Sequence, residues 1–222
     1  LKQIRSIIFD LDGTLIDSSE GVVDAVNYSL REVGASEQPA EKIKPFIGFP
    51  LSRMYPEFTD APLKQLFRHF QERAAQVMDV KTVALDGAET VLRQLKGEGY
   101  RLGVATTKIR RHIDGILAKL DWGGLFEATV GGDEVARVKP DPEAFRLALQ
   151  KLRTAPAEAL VVGDTINDVQ AARGVPVTVV AVNSPYGGRY ELVAARPDHF
   201  VERIADLPAL LSRISARRNR EQ

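Results

Sequence analysis

Ser6-Ile7-Ile8-Phe9-Asp10-Leu11-Asp12-Gly13-Thr14 opens with a run of β-branched and aromatic residues, stops at a carboxylate and then turns at Gly-Thr. Such a run reads as a buried strand that ends at a polar edge. Outward from it, Leu102-Gly103-Val104-Ala105-Thr106, Ala128-Thr129-Val130, Leu160-Val161-Val162 and Val177-Thr178-Val179-Val180-Ala181-Val182 are near-continuous apolar runs of the same kind. Strands without polar alternation are buried on both faces, as in a parallel sheet covered by helices. Helical patterns over 88–96, 109–120, 142–152 and 167–173 supply the crossovers, so the alternation predicts an α/β fold with a doubly wound parallel sheet.

One stretch breaks the rhythm. Between residues 17 and 80 no strand is evident, while Val22, Val26, Leu30 and Val33 form one helical stripe, closed by Gly34. Asp17, three residues before Glu20, suggests an N-terminal cap. A second stripe runs through Leu63, Leu66, Phe67, Phe70, Ala74, Val77 and Met78, with Pro62 in the first turn. The expected organisation is a core made of residues 1–16 and 82–222, interrupted by a helical subdomain over 17–81. The tail 215–222 lacks an apolar pattern and is expected to fray.

Among the 222 residues, thirty Lys and Arg balance thirty Asp and Glu, so no global positive field draws in nucleic acid or an anionic membrane. Any anion has to be bound locally. The absence of cysteine excludes disulfides, thiolate zinc sites and thiol nucleophiles. No apolar run approaches the roughly 20 residues of a membrane span, and Leu1-Lys2-Gln3-Ile4-Arg5 lacks the apolar stretch of a secretion signal. The expectation is a soluble cytoplasmic protein, monomer or homodimer, that neither enters membranes nor binds nucleic acid.

In a parallel sheet, ligands collect beyond the carboxyl ends of the strands. Those ends carry Asp10-Leu11-Asp12-Gly13-Thr14, Thr106-Thr107-Lys108, Lys139-Pro140 after the third apolar run, and Gly163-Asp164-Thr165-Ile166-Asn167-Asp168. Crowded carboxylates repel unless a cation or a shared proton relieves them. A hard divalent ion is the simplest remedy, and Mg²⁺, which takes one or two protein carboxylates and substrate phosphate, suits Asp10 and Asp164. The phosphate's remaining charge calls for donors such as Lys139, the Thr106 hydroxyl and N–H groups of the Asp12-Gly13-Thr14 turn. Two carboxylates flanking one substrate permit a nucleophile and an acid/base, and Asp168, one turn after Asp164, is placed to support the ion or Lys139.

Taken in order with the Lys139-Pro140-Asp141-Pro142 stretch, these motifs resemble those of the haloacid dehalogenase superfamily. The insert after the first motif is similar to the helical cap of its phosphoglycolate phosphatase-like and β-phosphoglucomutase-like branch. The resemblance implies a Rossmann-like core and a Mg²⁺-dependent phosphatase. Asp10 would be the nucleophile that forms an aspartyl-phosphate and a metal ligand, and Asp12 the acid/base, reaching the metal through its backbone carbonyl. Thr106 and Lys139 would hold the phosphoryl group, Gly13 and Thr107 would line the phosphate site, and Asp164 would complete the metal site with Asp168 in support. Dehalogenases of the family lack the second carboxylate, so Asp12 points to phosphate esters. Thr107 stands where many phosphoglycolate phosphatase-like sequences carry Asn.

Substrate choice is assigned to the cap, where Arg53, in a Gly/Pro-marked turn, is the expected contact to a second anionic group. The expected substrate is a small anionic phosphomonoester of the phosphoglycolate kind. A phosphomutase, a pyrophosphatase and a phospho-acceptor signalling module remain as alternatives. His69, His112 and His199 show no ligand spacing, and Trp122 and Phe126 read as loop packing.

Overall fold

The chain begins with strand β1 (Ser6–Phe9), which stands near the middle of a six-stranded sheet rather than at its edge. With β4 (Arg101–Ala105), β5 (Ala128–Val130), β6 (Ala159–Gly163), β7 (Thr178–Val182) and β8 (His199–Val201) it forms the order β5-β4-β1-β6-β7-β8. Every neighbouring pair is parallel. The order reverses at β1, with β4 on one side and β6 on the other, so the crevice of a doubly wound sheet falls at the end of β1. The protein is described by a computed structural model covering the backbone of residues 3–220 and side chains through Ala216.

Alternation along each strand sends its side chains to opposite faces. Ile7, Phe9, Leu102, Val104, Leu160 and Val162 join one apolar layer, which is covered by α5 (Ala88–Gly97), α6 (Arg110–Lys119) and α10 (Leu207–Arg220). Ile8, Ala105, Val161 and Val179 belong to the other, packed under α7 (Glu143–Lys151) and α8 (Ile166–Arg173). Trp122 is fully buried in the first layer, as loop packing requires. Helix α10 continues to Arg220 where a frayed tail is expected; residues 221–222 of that tail lie outside the described residues.

Between β1 and β4 the chain leaves and re-enters the sheet through a two-residue antiparallel ribbon, β2 (Ile16–Asp17) against β3 (Val83–Ala84). Everything between these two strands is helical or irregular: α1 (Ser19–Glu32), α2 (Ala40–Ile43), α3 (Leu51–Met54) and α4 (Leu63–Lys81). The two long helices pack on each other through the predicted stripes, with Val26, Leu30, Leu66, Phe70 and Met78 in one apolar cluster. Asp24 ties them polarly, accepting two bonds from Arg73 at 2.7 and 3.0 Å and an ion pair from Lys81 at 2.9 Å. Asp17 does serve the start of α1, its Oδ1 accepting the Ser19 N–H at 2.8 Å.

The helical insert meets the core along α4 and α6. Lys119 donates to the carbonyls of Val80 and Thr82 at 2.6 and 2.8 Å, and Gly115 leaves room for the Asp79 carboxylate, which a Cβ there would strike at 2.1 Å. No helix among the described residues is long and apolar enough to cross a membrane.

Candidate active site

The loaded strand ends converge. Asp10 follows β1, Thr106 follows β4, Asp164 follows β6, and Lys139 comes in on the loop before α7. All four side chains are almost wholly buried. Asp10, Asp164 and Asp168 each bring a carboxylate oxygen within 4.8 Å of the others.

Lys139 is the hub of this cluster. Its Nζ donates to Asp10 Oδ1 and Asp168 Oδ1, each at 2.6 Å, and to the Ala105 carbonyl at 3.1 Å, beside Thr106. Burial alone would lower its affinity for a proton, but the two carboxylates overcome this and hold it well above the ordinary lysine range. Asp168 has no oxygen to spare: Oδ2 accepts the Thr165 N–H at 3.0 Å and the Thr165 hydroxyl at 2.6 Å in the capping box that starts α8. It therefore locks Lys139 to a helix N-terminus.

Asp10 and Asp164 are different, because among the described residues Asp10 is hydrogen-bonded at Oδ1 and Asp164 keeps its Oδ2 unpartnered. Asp164 Oδ1 accepts the Thr14 hydroxyl at 3.0 Å, while its Oδ2 is buried with no hydrogen-bond partner among the described residues. A buried, unpartnered carboxylate oxygen is costly. Burial pushes the Asp10 carboxyl up to about 7 against the pull of Lys139, with Asp168 and Asp12 adding repulsion. Asp164 is raised well above the carboxylate range by burial and by Asp10 and Asp168, against the Ser184 and Thr14 hydroxyls. Three clustered carboxylates, two of them paired with one ammonium and the third, Asp164, keeping a free oxygen, form a donor set that fits a hard divalent cation such as Mg²⁺.

Asp12 lies across from this cluster. Its Oδ1 accepts a short hydrogen bond from the Ser18 hydroxyl and pairs with Lys108 Nζ at 3.2 Å. Ser18 precedes α1 but does not cap it; its hydroxyl is diverted to Asp12. Gly13 makes the turn possible, with φ +78° and so close an approach that a Cβ would lie 2.1 Å from Asp164 Oδ2. Its N–H, expected to face phosphate, donates instead to the Ile16 carbonyl at 2.8 Å.

Of the other expected residues, Thr107 lines a small cavity beside Asp12. Arg53 stands apart from the carboxylates, exposed, its guanidinium 4.2 Å over the Phe49 ring at a cavity of about 470 Å³ that also reaches Asp164. Sequence reasoning did not single out Thr14, Ser18 or Lys108, although Thr14 and Lys108 lie inside the quoted motifs and Ser18 only four residues beyond the first. The Tyr186 hydroxyl accepts the Ser18 N–H and donates to Asp17, each at 3.1 Å, bracing the crossing into the insert.

Known proteins share both the chain and its architecture. Pyrophosphatase PpaX of Bacillus velezensis is 32% identical over 206 residues, covering 93% of this chain and 95% of its own. A haloacid dehalogenase-like hydrolase of Bacteroides fragilis superposes with a TM-score of 0.86 at 29% identity, covering 92% of this chain and 100% of that one. A structure described as a predicted phosphoglycolate phosphatase from Haemophilus somnus does so at 0.83 and 26%, covering 95% and 99%. A family model for haloacid dehalogenase-like hydrolases matches residues 7–182, which run from β1 to the end of β7 through every loaded strand end, and the chain belongs to that family.

Proposed function

We propose that the protein is a Mg²⁺-dependent phosphatase that hydrolyses a small anionic phosphomonoester through an aspartyl-phosphate, residues 17–81 acting as a cap over a core of 1–16 and 82–222. The observation that carries this reading is the buried, unpartnered Oδ2 of Asp164 in a cluster with Asp10 and Asp168, beside a Lys139 that Asp10 and Asp168 hold in place. Mg²⁺ held by Asp10, Asp164 and the Asp12 carbonyl, with Asp168 in support, would neutralise charge on the phosphoryl oxygens.

The chain's own groups then divide the work. The Asp10 carboxylate attacks phosphorus, forming an acyl-phosphate bond as the ester P–O bond breaks. Asp12, oriented by Ser18 and Lys108, gives its proton to the departing alkoxide and then takes one from the water that attacks the phospho-enzyme, releasing orthophosphate and restoring Asp10. Lys139 and the Thr106 hydroxyl hold the transferring group, with Gly13 and Thr107 at its margins. Arg53 is the proposed contact to a second anionic group, reaching it from the 470 Å³ cavity.

The relatives named pyrophosphatase favour inorganic pyrophosphate as a second reading for the same machinery. Sustained Mg²⁺-dependent turnover of p-nitrophenyl phosphate, abolished in Asp10→Asn and by chelator, is the expected result. A single stoichiometric phosphorylation without turnover would instead indicate a phospho-acceptor module. Arg53→Ala should raise the Michaelis constant for 2-phosphoglycolate; an unchanged value removes Arg53 from the site.

A further inference from the structure

Strand β7 runs into the loop Asn183-Ser184-Pro185-Tyr186-Gly187-Gly188, which leads to helix α9 (Arg189–Ala194). Both ends of the loop are anchored. The Asn183 N–H donates to the Val201 carbonyl at 3.1 Å, and the Arg189 guanidinium forks onto Glu202 at 2.5 and 2.6 Å. Between them the Tyr186 N–H donates to the Ser184 hydroxyl at 3.2 Å, and the Tyr186 ring lies so near the first motif's turn that a Cβ on Gly13 would stand 3.1 Å from its Cε2. The side chain thus crosses the Asp12-Gly13-Thr14 turn to reach the start of the helical insert.

There the phenol meets a stretch of backbone that also serves Asp12. Its hydroxyl accepts the Ser18 N–H and donates to Asp17 Oδ1, each at 3.1 Å, and the same Asp17 oxygen accepts the Ser19 N–H at 2.8 Å. The Ser18 hydroxyl donates to Asp12 Oδ1 instead of capping α1. Ser18 is wholly buried, so loss of the phenol leaves its N–H unpaired and the peptide has to turn to relieve it. Turning carries the Ser18 hydroxyl away from Asp12. A misplacement of about 1 Å is enough to slow a proton transfer.

Resting on the phosphatase reading above, in which Asp12 gives its proton to the leaving oxygen, we propose that Tyr186 is a positioning residue for that step: it fixes the Ser18 peptide so that the Ser18 hydroxyl keeps Asp12 aimed at the leaving group. It acts through Ser18 and not on the reacting atoms.

The test is kcat/KM for phenyl, p-nitrophenyl and 2,4-dinitrophenyl phosphate with Mg²⁺, in the wild-type protein and in Tyr186→Phe. This constant covers the steps up to departure of the leaving group, so later hydrolysis of the phospho-enzyme does not enter it. A poor leaving group needs the proton, and a good one departs without it. Tyr186→Phe should therefore lower phenyl phosphate about tenfold and 2,4-dinitrophenyl phosphate by less than about twofold, with p-nitrophenyl phosphate between them. A misfolded fraction lowers all three alike and cannot imitate that slope. Ser18→Ala should lower phenyl phosphate by a similar factor, and the double variant Ser18→Ala/Tyr186→Phe no further than Ser18→Ala alone, because the phenol acts through Ser18. An equal loss on all three esters, no loss at all, or losses that multiply in the double variant overturns the proposal while leaving the phosphatase reading standing. No turnover of any of these esters by the wild-type protein removes both.

Discussion

Stripping divalent ions and raising the pH should destabilise this protein in a way that Mg²⁺ reverses, because Asp10 is buried with a carboxyl raised from 3.8 to about 7. Below pH 3.8 the folded and unfolded chains both carry the proton, and the folded state keeps its full stability. Between pH 4 and 7 the unfolded carboxyl ionises while the folded one does not, so stability falls as pH rises and the contribution is lost once pH passes 7. About three decades of proton affinity correspond to ~4 kcal/mol. For a chain of this length that is on the order of 10 °C in Tm. Asp164, raised in the same direction by the same burial, adds to the slope. The assay is a thermal melt at pH 5 and pH 8, with EDTA and with Mg²⁺. Between pH 5 and pH 8 about two of those decades are crossed, ~3 kcal/mol, so we expect the EDTA melts to drop by roughly 5–10 °C, and Mg²⁺ to restore far more at pH 8 than at pH 5, since ligand binding requires ionised carboxylates. Asp10→Asn should remove more than half of the drop. Equal Mg²⁺ stabilisation at both pH values, or an unaltered slope in Asp10→Asn, would refute the reasoning.

Lys139→Met leaves Asp10 and Asp168 without their common cation, so it should cost ~3–5 kcal/mol, seen as a lowered denaturation midpoint, together with loss of turnover. Gly13→Ala places a Cβ 2.1 Å from Asp164 Oδ2 at a left-handed φ, so Asp164 has to move and kcat should fall about a hundredfold. A calorimetric Mg²⁺ titration of that variant should show weakened binding. Ser18→Ala frees Asp12 on one side and should reduce kcat about tenfold with KM little changed, while Ser18→Thr, which keeps the hydroxyl, should recover most of it.

The legible parts of the chain were those whose burial is complete. Strands β1, β4, β6 and β7 read directly because helices cover both faces and the apolar runs are uninterrupted. Strand β8 was missed: it is a three-residue edge strand, His199 and Phe200 are only half-buried, and the run is too short to carry a period. The β2–β3 ribbon was missed for a similar reason, since two residues on each side hold no pattern. The polar residues that converge at the strand ends were legible because they interrupt apolar runs at fixed places in the chain. Residues whose roles depend on contacts distant in sequence were not, such as Lys108 with Met78 or Tyr186 with Asp17.

His112 shows why local sequence could not settle the cap side of the site. Taken alone it is a helical histidine without ligand spacing, and nothing in Arg110-Arg111-His112-Ile113 distinguishes solvent from seam. What buries it is α4, some forty residues earlier, laid against α6 once the β2–β3 ribbon brings the insert back over the sheet. The same closure puts Gln71 opposite its ring, Met78 against Lys108 and Gly48 against Thr165. The buried carboxylate cluster is thus encoded by contiguous motifs, each at one strand end. The seam between α4 and α6 is encoded only by the fit of two bodies. The carboxylate cluster can therefore be read from the sequence, and the lining of the seam cannot.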